Sequence, residues 1–348
     1  MLNFSKLSTY LKNESSLVQQ IVPIPLRNLF LKINCSVLLL FALAGIPNNI
    51  LNILIFRKLG FNSNINIHFL FLSTIDLICA IIYACVAVIM LDMSGLIRLP
   101  VDLADAIYLT AIVLISLSTI GSWVTAIISV ERCCSVVMPV KVKHIFTRKV
   151  TICLNAGMVI FQMAIITVNV TSLKFRVNKP LNDGRLQVIL VYSDDSLYIA
   201  LLFWGASLIT FICMATVVVS TAFLGTALRQ RERWLESLPF SANLSTRVNN
   251  RKVARTVVAI SSIYITCSIP GVVVLLVLFA VPTLNPFAPA AESLSMVLST
   301  FIQSFLAFSG MANIFVYLNM NSKYKEYFKN LLCFVCAQSR MRYGSDCS

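Results

Sequence analysis

The clearest indication of the fold is the sequence LTAIVLISLSTIGSWVTAIISVERC, from Leu109 to Cys133. It carries no charged residue from Leu109 to Val130, and an uncharged apolar run of that length crosses the hydrocarbon core of a bilayer as an α-helix. Glu131 and Arg132 stand side by side where the run ends. Burying an acid and an arginine at the end of an apolar helix costs free energy, and such a pair is expected where it acts as a switch. The stretch therefore predicts a membrane helix that ends in a candidate switch.

The composition agrees with a chain whose solvent is lipid. Of the 348 residues, 58% are hydrophobic and only 12% are charged, and the mean hydropathy is +0.85. A soluble domain of this size does not hide that much apolar surface. Seven stretches are long enough to span a bilayer as helices and too long for barrel strands: 36–56, 66–90, 106–131, 150–171, 197–224, 253–280 and 293–318.

We therefore predict an all-α membrane protein, a seven-transmembrane helix bundle followed by a short amphipathic helix on the cytoplasmic side. The predicted divisions are an extracellular segment 1–35, the bundle 36–318 and a cytoplasmic tail 319–348.

The charge distribution predicts the orientation. Most of the 28 lysines and arginines lie in the segments that follow the first, third, fifth and seventh stretches, and basic residues mark the cytoplasmic side. The glycosylation sequons at Asn3 and Asn13 agree with an outside N-terminus. This topology accounts for the net charge of +14, which otherwise suggests nucleic-acid binding. We expect a multi-pass protein that does not bind nucleic acid.

Polar residues inside the apolar stretches are the next candidates. Asp76 is the only acid deep inside a span, and a mid-bilayer carboxylate must be neutralised, hydrated or ion-bound. Asn313, in the seventh stretch, is its natural partner. Asn49 follows Pro47, which frees a backbone carbonyl that a nearby amide can satisfy. Asn49 has a second interpretation as an ordinary contact between helices.

Two of the candidates point to movement. Pro270, preceded by Tyr264, predicts a kink in the sixth stretch, about which the basic end of that helix can swing. Arg132 has two interpretations. It extends to the headgroups, as such residues usually do, or it belongs to a docking surface, since Pro139 and a basic loop follow.

The tail from Ser322 to Cys333 reads as an amphipathic surface helix with aromatic and leucine residues on one side and lysines on the other. Cys333 and Cys336 at its end are either palmitoylation sites or inert thiols. The eleven cysteines do not suggest a disulfide framework, because most fall within spans or in the tail.

Five of the seven spans carry motifs that, in this order, resemble those of the rhodopsin-like G-protein-coupled receptors. The matching residues are Asn48 and Asn49; Asn66, Phe69, Leu72 and Asp76; Glu131, Arg132, Cys133 and Pro139; Tyr264, Cys267 and Pro270; and Asn313 and Tyr317. The resemblance covers about residues 36–333. It implies a receptor in the plasma membrane that passes binding of an extracellular ligand, a chemosensory cue or a neuropeptide, to a heterotrimeric G protein. It also implies that Glu131 holds Arg132 at rest.

The chain departs from the pattern of these receptors at several positions. Ser268 replaces a tryptophan, Ile314 replaces a proline, and Ile107 stands where the family has the cysteine of an outer disulfide. Such departures are similar to those of divergent invertebrate chemosensory receptors, and the segment from Gly45 to Gly60 resembles molluscan ones in particular.

The main alternative is a multi-span transporter or channel, although the sequence contains neither an internal repeat nor a ring of pore charges. We do not expect an enzyme, a metal site or a cofactor, because no ligand cluster or nucleophile–base pair accompanies the two histidines.

The ligand itself is not predicted. Leu114 occupies the place where receptors for biogenic amines carry an aspartate, which disfavours a simple amine. The candidates for a ligand pocket could equally be ordinary core or lipid-facing residues: Tyr108, Leu114, Tyr198 and Trp204.

Overall fold

A computed structural model describes residues 21–61, 63–171, 173–178, 186–192, 196–236, 244–281, 291–320 and 323–331. The predicted glycosylation sites and the tail cysteines lie outside these ranges: Asn3, Asn13, Cys333 and Cys336. The described helices, numbered in chain order, are α1 (Ile24–Leu59), α2 (Asn64–Met93), α3 (Ala106–Val137), α4 (Pro139–Ile145), α5 (Arg148–Thr171), α6 (Ser196–Glu236), α7 (Leu244–Ala280), α8 (Glu292–Met320) and α9 (323–331).

Seven of these helices are long and apolar enough to cross a membrane, namely α1, α2, α3, α5, α6, α7 and α8. The short α9 follows them. The prediction of an all-α bundle with seven spans and a short terminal helix is confirmed. The helices extend beyond the predicted stretches, because the apolar run marks only the hydrocarbon core, whereas backbone hydrogen bonding continues into the polar residues on either side.

The outside of the bundle is apolar. Ile160, Leu40 and Phe223 expose 69%, 64% and 61% of their surface, although each lies within a spanning helix. Apolar side chains in such numbers on an outer surface require a lipid solvent. The chain is therefore a multi-pass membrane protein with seven spans.

Helix α3 lies at the centre of the bundle. It contacts α2, α5, α6 and α7, and its spanning window is the most buried of the seven, at 61%. Around it, α1 packs on α2 and α8, and α7 packs on α8 and α6. The central position of α3 explains why its residues are available to contact several helices at once.

The bundle has two ends because successive spans run in opposite directions. We call one the Arg132 end, where α1 and α3 end and α2 and α5 begin. We call the other the Glu292 end, where α8 begins. Here β1 (Val101–Asp102), β2 (Leu173–Asn178) and β3 (Leu186–Tyr192) form a small sheet in the order β1-β3-β2, with β2 and β3 antiparallel. The eight described cysteines are free thiols, and Cys35 among them is fully buried.

Candidate functional site

At the Arg132 end, the adjacent charges predicted from the sequence form a direct pair. An Nη2 hydrogen of Arg132 is donated to Oε1 of Glu131 over 2.6 Å. The Glu131 side chain is 5% exposed and that of Arg132 is 17% exposed, so the pair sits at the edge of the buried interior. The Nε of Arg132 is buried with no hydrogen-bond partner among the described atoms. Arg132 thus holds Glu131 through one nitrogen and not through a two-pronged fork.

Glu131 has a second neighbour that the sequence did not predict. The other carboxylate oxygen, Oε2, lies 3.1 Å from Nε2 of His68, near the start of α2. His68 is fully buried, and its Nδ1 lies 3.0 Å from Nδ2 of Asn155 in α5. His68 is the only histidine inside a predicted span, and Asn155 is one of the polar residues that interrupt the fourth stretch. Both residues therefore lie near the Arg132 end of their spans, and this is the sequence signal that could have predicted their contact.

The basic segment after this pair begins with Pro139, the first residue of α4. A proline is well placed at the first position of a helix, because its missing N–H would have no partner there. Phe146, just past the end of α4, accepts a hydrogen bond of 2.6 Å from Asn64 at the start of α2. The loop after Arg132 is thereby attached to the neighbouring helix.

Deeper in the bundle, Asp76 and Asn313 meet as the sequence suggested. Asn313 Nδ2 in α8 donates to Oδ2 of Asp76 in α2 over 2.9 Å. Gly310 lies one turn before Asn313, and a Cβ there would come within 3.3 Å of Asp76 Cγ. Asp76 can therefore pack this closely against α8 because Gly310 has no side chain.

Asn49 is the first member of a chain of polar groups that runs along α1. Its Nδ2 lies 3.1 Å from the carbonyl oxygen of Gly45 and 3.4 Å from that of Gly310. Its Oδ1 accepts a hydrogen bond from Asn52, 3.3 Å away, and Tyr324 of α9 donates its hydroxyl hydrogen to Asn52 over 2.5 Å. Burial raises the pKa of the Tyr324 hydroxyl, so this group keeps its hydrogen at neutral pH. The network thus connects α1, α8 and α9.

Tyr317 lies in an aromatic cluster near the Arg132 end. Its ring centroid is 4.9 Å from those of Phe56 in α1 and Phe69 in α2, and Tyr324 packs beside it at 5.5 Å. Tyr317 and Tyr324 are both fully buried. The predicted amphipathic helix α9 is therefore anchored by its aromatic side, while Lys323, Lys325 and Lys329 are exposed.

Helix α7 carries Pro270 within its span and touches α3 on the Arg132 side of that proline. The hydroxyl oxygens of Ser129 and Ser261 lie 2.9 Å apart, and both residues are buried. Ser129 donates its own hydrogen to the carbonyl of Thr125, so Ser261 is left to donate to Ser129. This contact joins α3 and α7 one turn from Arg132.

A cavity of about 1110 Å³ opens inside the bundle. It reaches from Asp105 and Glu292, near the Glu292 end, to Asp76 and Asn313 at its deep end. The wall is formed mainly by α2, α3, α7 and α8, and most of its lining side chains are apolar. The charged residues that line it are all acidic among those described. A cavity of this size and composition is typical of a site for a small ligand.

The structure describes the side chain of one of the four residues proposed for a ligand pocket. Leu114 is buried and lines the cavity. Tyr108, Tyr198 and Trp204 lie on α3 and α6, but their side chains are outside the described part of the structure. Tyr264 and Ser268 of α7, which precede Pro270, both line the cavity.

The site combines a deep cavity, a buried polar network and a charge pair at the opposite end of a seven-span bundle. Comparison with known protein families gives no match for this chain, and comparison with curated proteins gives no similar protein. Its class is that of a multi-pass membrane protein with seven spans.

Proposed function

We propose that this protein is a G-protein-coupled receptor that passes the binding of an extracellular ligand to a heterotrimeric G protein. The observation that carries the proposal is the role of α3 in two sites. Leu114 and Gly121 of this helix line the cavity, and the same helix ends in the Glu131–Arg132 pair. A ligand that shifts α3 against its neighbours can therefore act on the charge pair without touching it.

Helix α7 supplies the moving element of this proposal. It lines the cavity with Ser268 and Gly271 on either side of Pro270, and it binds α3 through Ser261 beyond that proline. A ligand that displaces the cavity-lining part of α7 bends the helix at Pro270, where a backbone hydrogen bond is missing. The Arg132 end of α7 then moves away from Ser129 and leaves space for a G protein beside Arg132.

The cavity lining favours a ligand without negative charge. No described lysine or arginine lines the cavity to pair with a carboxylate or phosphate, whereas the largely apolar wall accommodates a hydrophobic body. Leu114 makes no ion pair where an amine receptor has an aspartate. A neutral or cationic amphipathic molecule, or the end of a cationic peptide, fits this lining best.

The orientation belongs to the same proposal. Lysines and arginines concentrate in the segments at the Arg132 end, so we place that end in the cytoplasm and residues 1–35 outside the plasma membrane. The cavity then opens toward the extracellular side, where a chemosensory cue or neuropeptide arrives.

The proposal is tested by expressing the chain in cells that carry promiscuous G-protein chimeras and applying libraries of odorants and cationic peptides. We expect at least one compound to raise the second-messenger signal in a dose-dependent way. The same compound should be less potent on cells that express a Leu114→Trp variant at equal surface density, because the larger side chain projects into the part of the cavity that α3 lines. A current or ion flux that appears without any G protein would instead favour a channel or transporter.

A further inference from the structure

We propose that His68, oriented by Asn155, is a positioning residue of the switch that offers the Glu131 carboxylate a hydrogen-bond donor when Arg132 leaves it. The inference rests on the receptor function proposed above, since it assigns a role within that switch. His68 has a different role from Glu131, which binds Arg132 directly.

His68, in α2, contacts Glu131 of α3 through one ring nitrogen and Asn155 of α5 through the other. His68 Nε2 in α2 is 3.1 Å from Glu131 Oε2 in α3, and His68 Nδ1 is 3.0 Å from Asn155 Nδ2 in α5. His68 is 0% exposed, Asn155 1% and Glu131 4%. At such depth water does not replace a lost partner, so each of these contacts has a large effect on the carboxylate.

The hydrogen bonds of Asn155 decide where the hydrogen of His68 lies. Asn155 Nδ2 also donates to the carbonyl oxygen of Thr151, 3.0 Å away. Turning the amide around would bring two acceptor oxygens together at that distance, so its nitrogen faces both Thr151 and His68. Nδ1 of His68 must then accept, and the ring hydrogen lies on Nε2, the nitrogen that is 3.1 Å from Glu131 Oε2. In this arrangement the two atoms are in contact without an aligned hydrogen bond.

This arrangement makes the release of Arg132 easier. When Arg132 moves away, Glu131 would remain as a buried charge without a donor, which is strongly unfavourable. His68 Nε2 is already 3.1 Å from Oε2, so a small rotation of the freed carboxylate lets the Nε2 hydrogen bond to it and stabilise that charge in the released state. At rest His68 lies against the oxygen that Arg132 would need for a two-pronged bond, and Nε of Arg132 has no hydrogen-bond partner among the described atoms. Both effects shift the equilibrium toward release.

These two effects predict the direction in which each His68 variant changes ligand-independent signalling. His68→Leu removes the donor, so we expect ligand-independent signalling to fall by about tenfold, the effect of one hydrogen bond to a charged group. His68→Gln is the matched control, because its amide can donate to Glu131 and accept from Asn155, and it should keep most of the signal. Both variants are compared with the parent at equal surface density.

A double variant separates positioning from a merely structural role. Glu131→Gln leaves no buried charge to stabilise, so adding His68→Leu to it should change the signal by less than about twofold. An equal fall in both backgrounds would mean that His68 acts through packing and not through Glu131. A rise in signalling on His68→Leu alone would show that His68 holds the resting state, which overturns the proposal.

Nuclear magnetic resonance tests the geometry independently of any G protein. The chain has two histidines, and His144 is exposed on α4, so His144→Gln leaves His68 as the only labelled ring after growth on ¹⁵N-histidine. In lipid nanodiscs near neutral pH we expect an unprotonated Nδ1 and a protonated Nε2. A hydrogen on Nδ1 would overturn the proposal even if the receptor signals normally. The expected pattern in a protein that activates no G protein would instead leave the geometry standing and contradict the proposed function.

Discussion

One carboxylate, that of Glu131, joins three helices at the Arg132 end of the bundle. Its Oε1 accepts from Arg132 within α3, and its Oε2 faces His68 of α2, which Asn155 of α5 orients in turn. A buried carboxylate is stable only while donors surround it, so the loss of one donor changes the position of the others. At the scale of single residues, the state of the site depends on which donors Glu131 keeps.

Glu131→Gln should raise ligand-independent signalling. The amide keeps the shape of the side chain but removes the charge that holds Arg132, and a hydrogen bond to a charged group contributes about 1.5 kcal/mol or more. That difference corresponds to an increase of about tenfold or more in the released population. Second-messenger levels in cells without ligand, normalised to surface expression, measure it. A variant that is expressed normally and signals like the parent would show that the pair is only structural.

Arg132→Ala should abolish G-protein activation and leave surface expression largely unchanged, because the side chain is 17% exposed and lies at the end of its span. The matched control is Arg148→Ala, which removes the same charge from an exposed position at the same end and should retain most of the signal. Ligand-stimulated second-messenger assays and surface labelling measure both variants. Unchanged signalling by Arg132→Ala would remove the main support for a receptor mechanism.

Gly310→Ala should lower the thermal stability of the purified protein. The added Cβ would lie 3.3 Å from Cγ and 3.4 Å from Oδ1 of Asp76, which must then shift away from Asn313. We expect a loss of about 1 kcal/mol, comparable to one weakened hydrogen bond. Gly157→Ala, in open space on α5, is the control and should be neutral or slightly stabilising. Equal melting temperatures for the two variants would contradict the close approach of α8 to Asp76.

At the scale of whole elements, α7 lies between the cavity and the centre of the Arg132 end. It lines the cavity on both sides of Pro270, the proline inside this helix, and it contacts α3 through Ser261, nine residues before that proline. A rigid helix would transmit a push at one end as a tilt of the whole rod, whereas a helix with a missing hydrogen bond bends at that point. The contact between Ser129 and Ser261 is therefore the bond that such a bend has to break.

Ser261→Ala should increase ligand-independent signalling. It removes the hydroxyl that joins α7 to α3 in the resting arrangement, and a hydrogen bond of this type is worth about 1 kcal/mol, or about fivefold in population. Ser262→Ala is the control, because that neighbouring serine is exposed and bonds only to Val258 within its own helix. Signal without ligand, at matched surface density, distinguishes them. The same activity in both variants would show that the Ser129–Ser261 hydrogen bond does not hold α3 and α7 together at rest.

For the molecule as a whole, the apolar outer surface and the distribution of basic residues bear on two different properties, the location in lipid and the orientation. The apolar outside of the seven spans places the bundle in lipid, but it is compatible with either orientation. The basic residues break this symmetry, because most of them belong to the segments at the Arg132 end. The orientation therefore depends on a few loop charges and not on the spans.

A tag at the N-terminus should be accessible to antibody on intact cells, and a tag at the C-terminus only after permeabilisation. A basic excess resists transfer across the membrane, so we expect the Arg132 end and the tail to stay in the cytoplasm. Removing the sequons with Asn3→Gln and Asn13→Gln should also increase electrophoretic mobility if they carry glycans. A C-terminal tag that is exposed on intact cells would contradict the orientation and, with it, the proposed G-protein coupling.

The lipid solvent, the number of spans and the fold class are predictable from the sequence alone, because hydrophobicity over a run of about 20 residues is a local property that packing does not alter. The sequence also identified Asp76, Asn313, Glu131 and Arg132, since a polar residue inside an apolar run is conspicuous whatever it contacts. The pairing of Asp76 with Asn313 was suggested because few polar groups are available at that depth.

The sequence does not predict which side chains surround Glu131, or that α7 contacts α3 through two serines; these contacts are visible only in the folded bundle. His68 lies 63 positions before Glu131 and Asn155 lies 24 after it, and their meeting depends on how α2 and α5 are rotated against α3. Serines occur throughout these helices, so nothing in the sequence distinguishes Ser261 from its exposed neighbour Ser262. The extent of the cavity likewise depends on the spacing of four helices. Rotation and spacing arise from packing between distant segments, which no local pattern encodes.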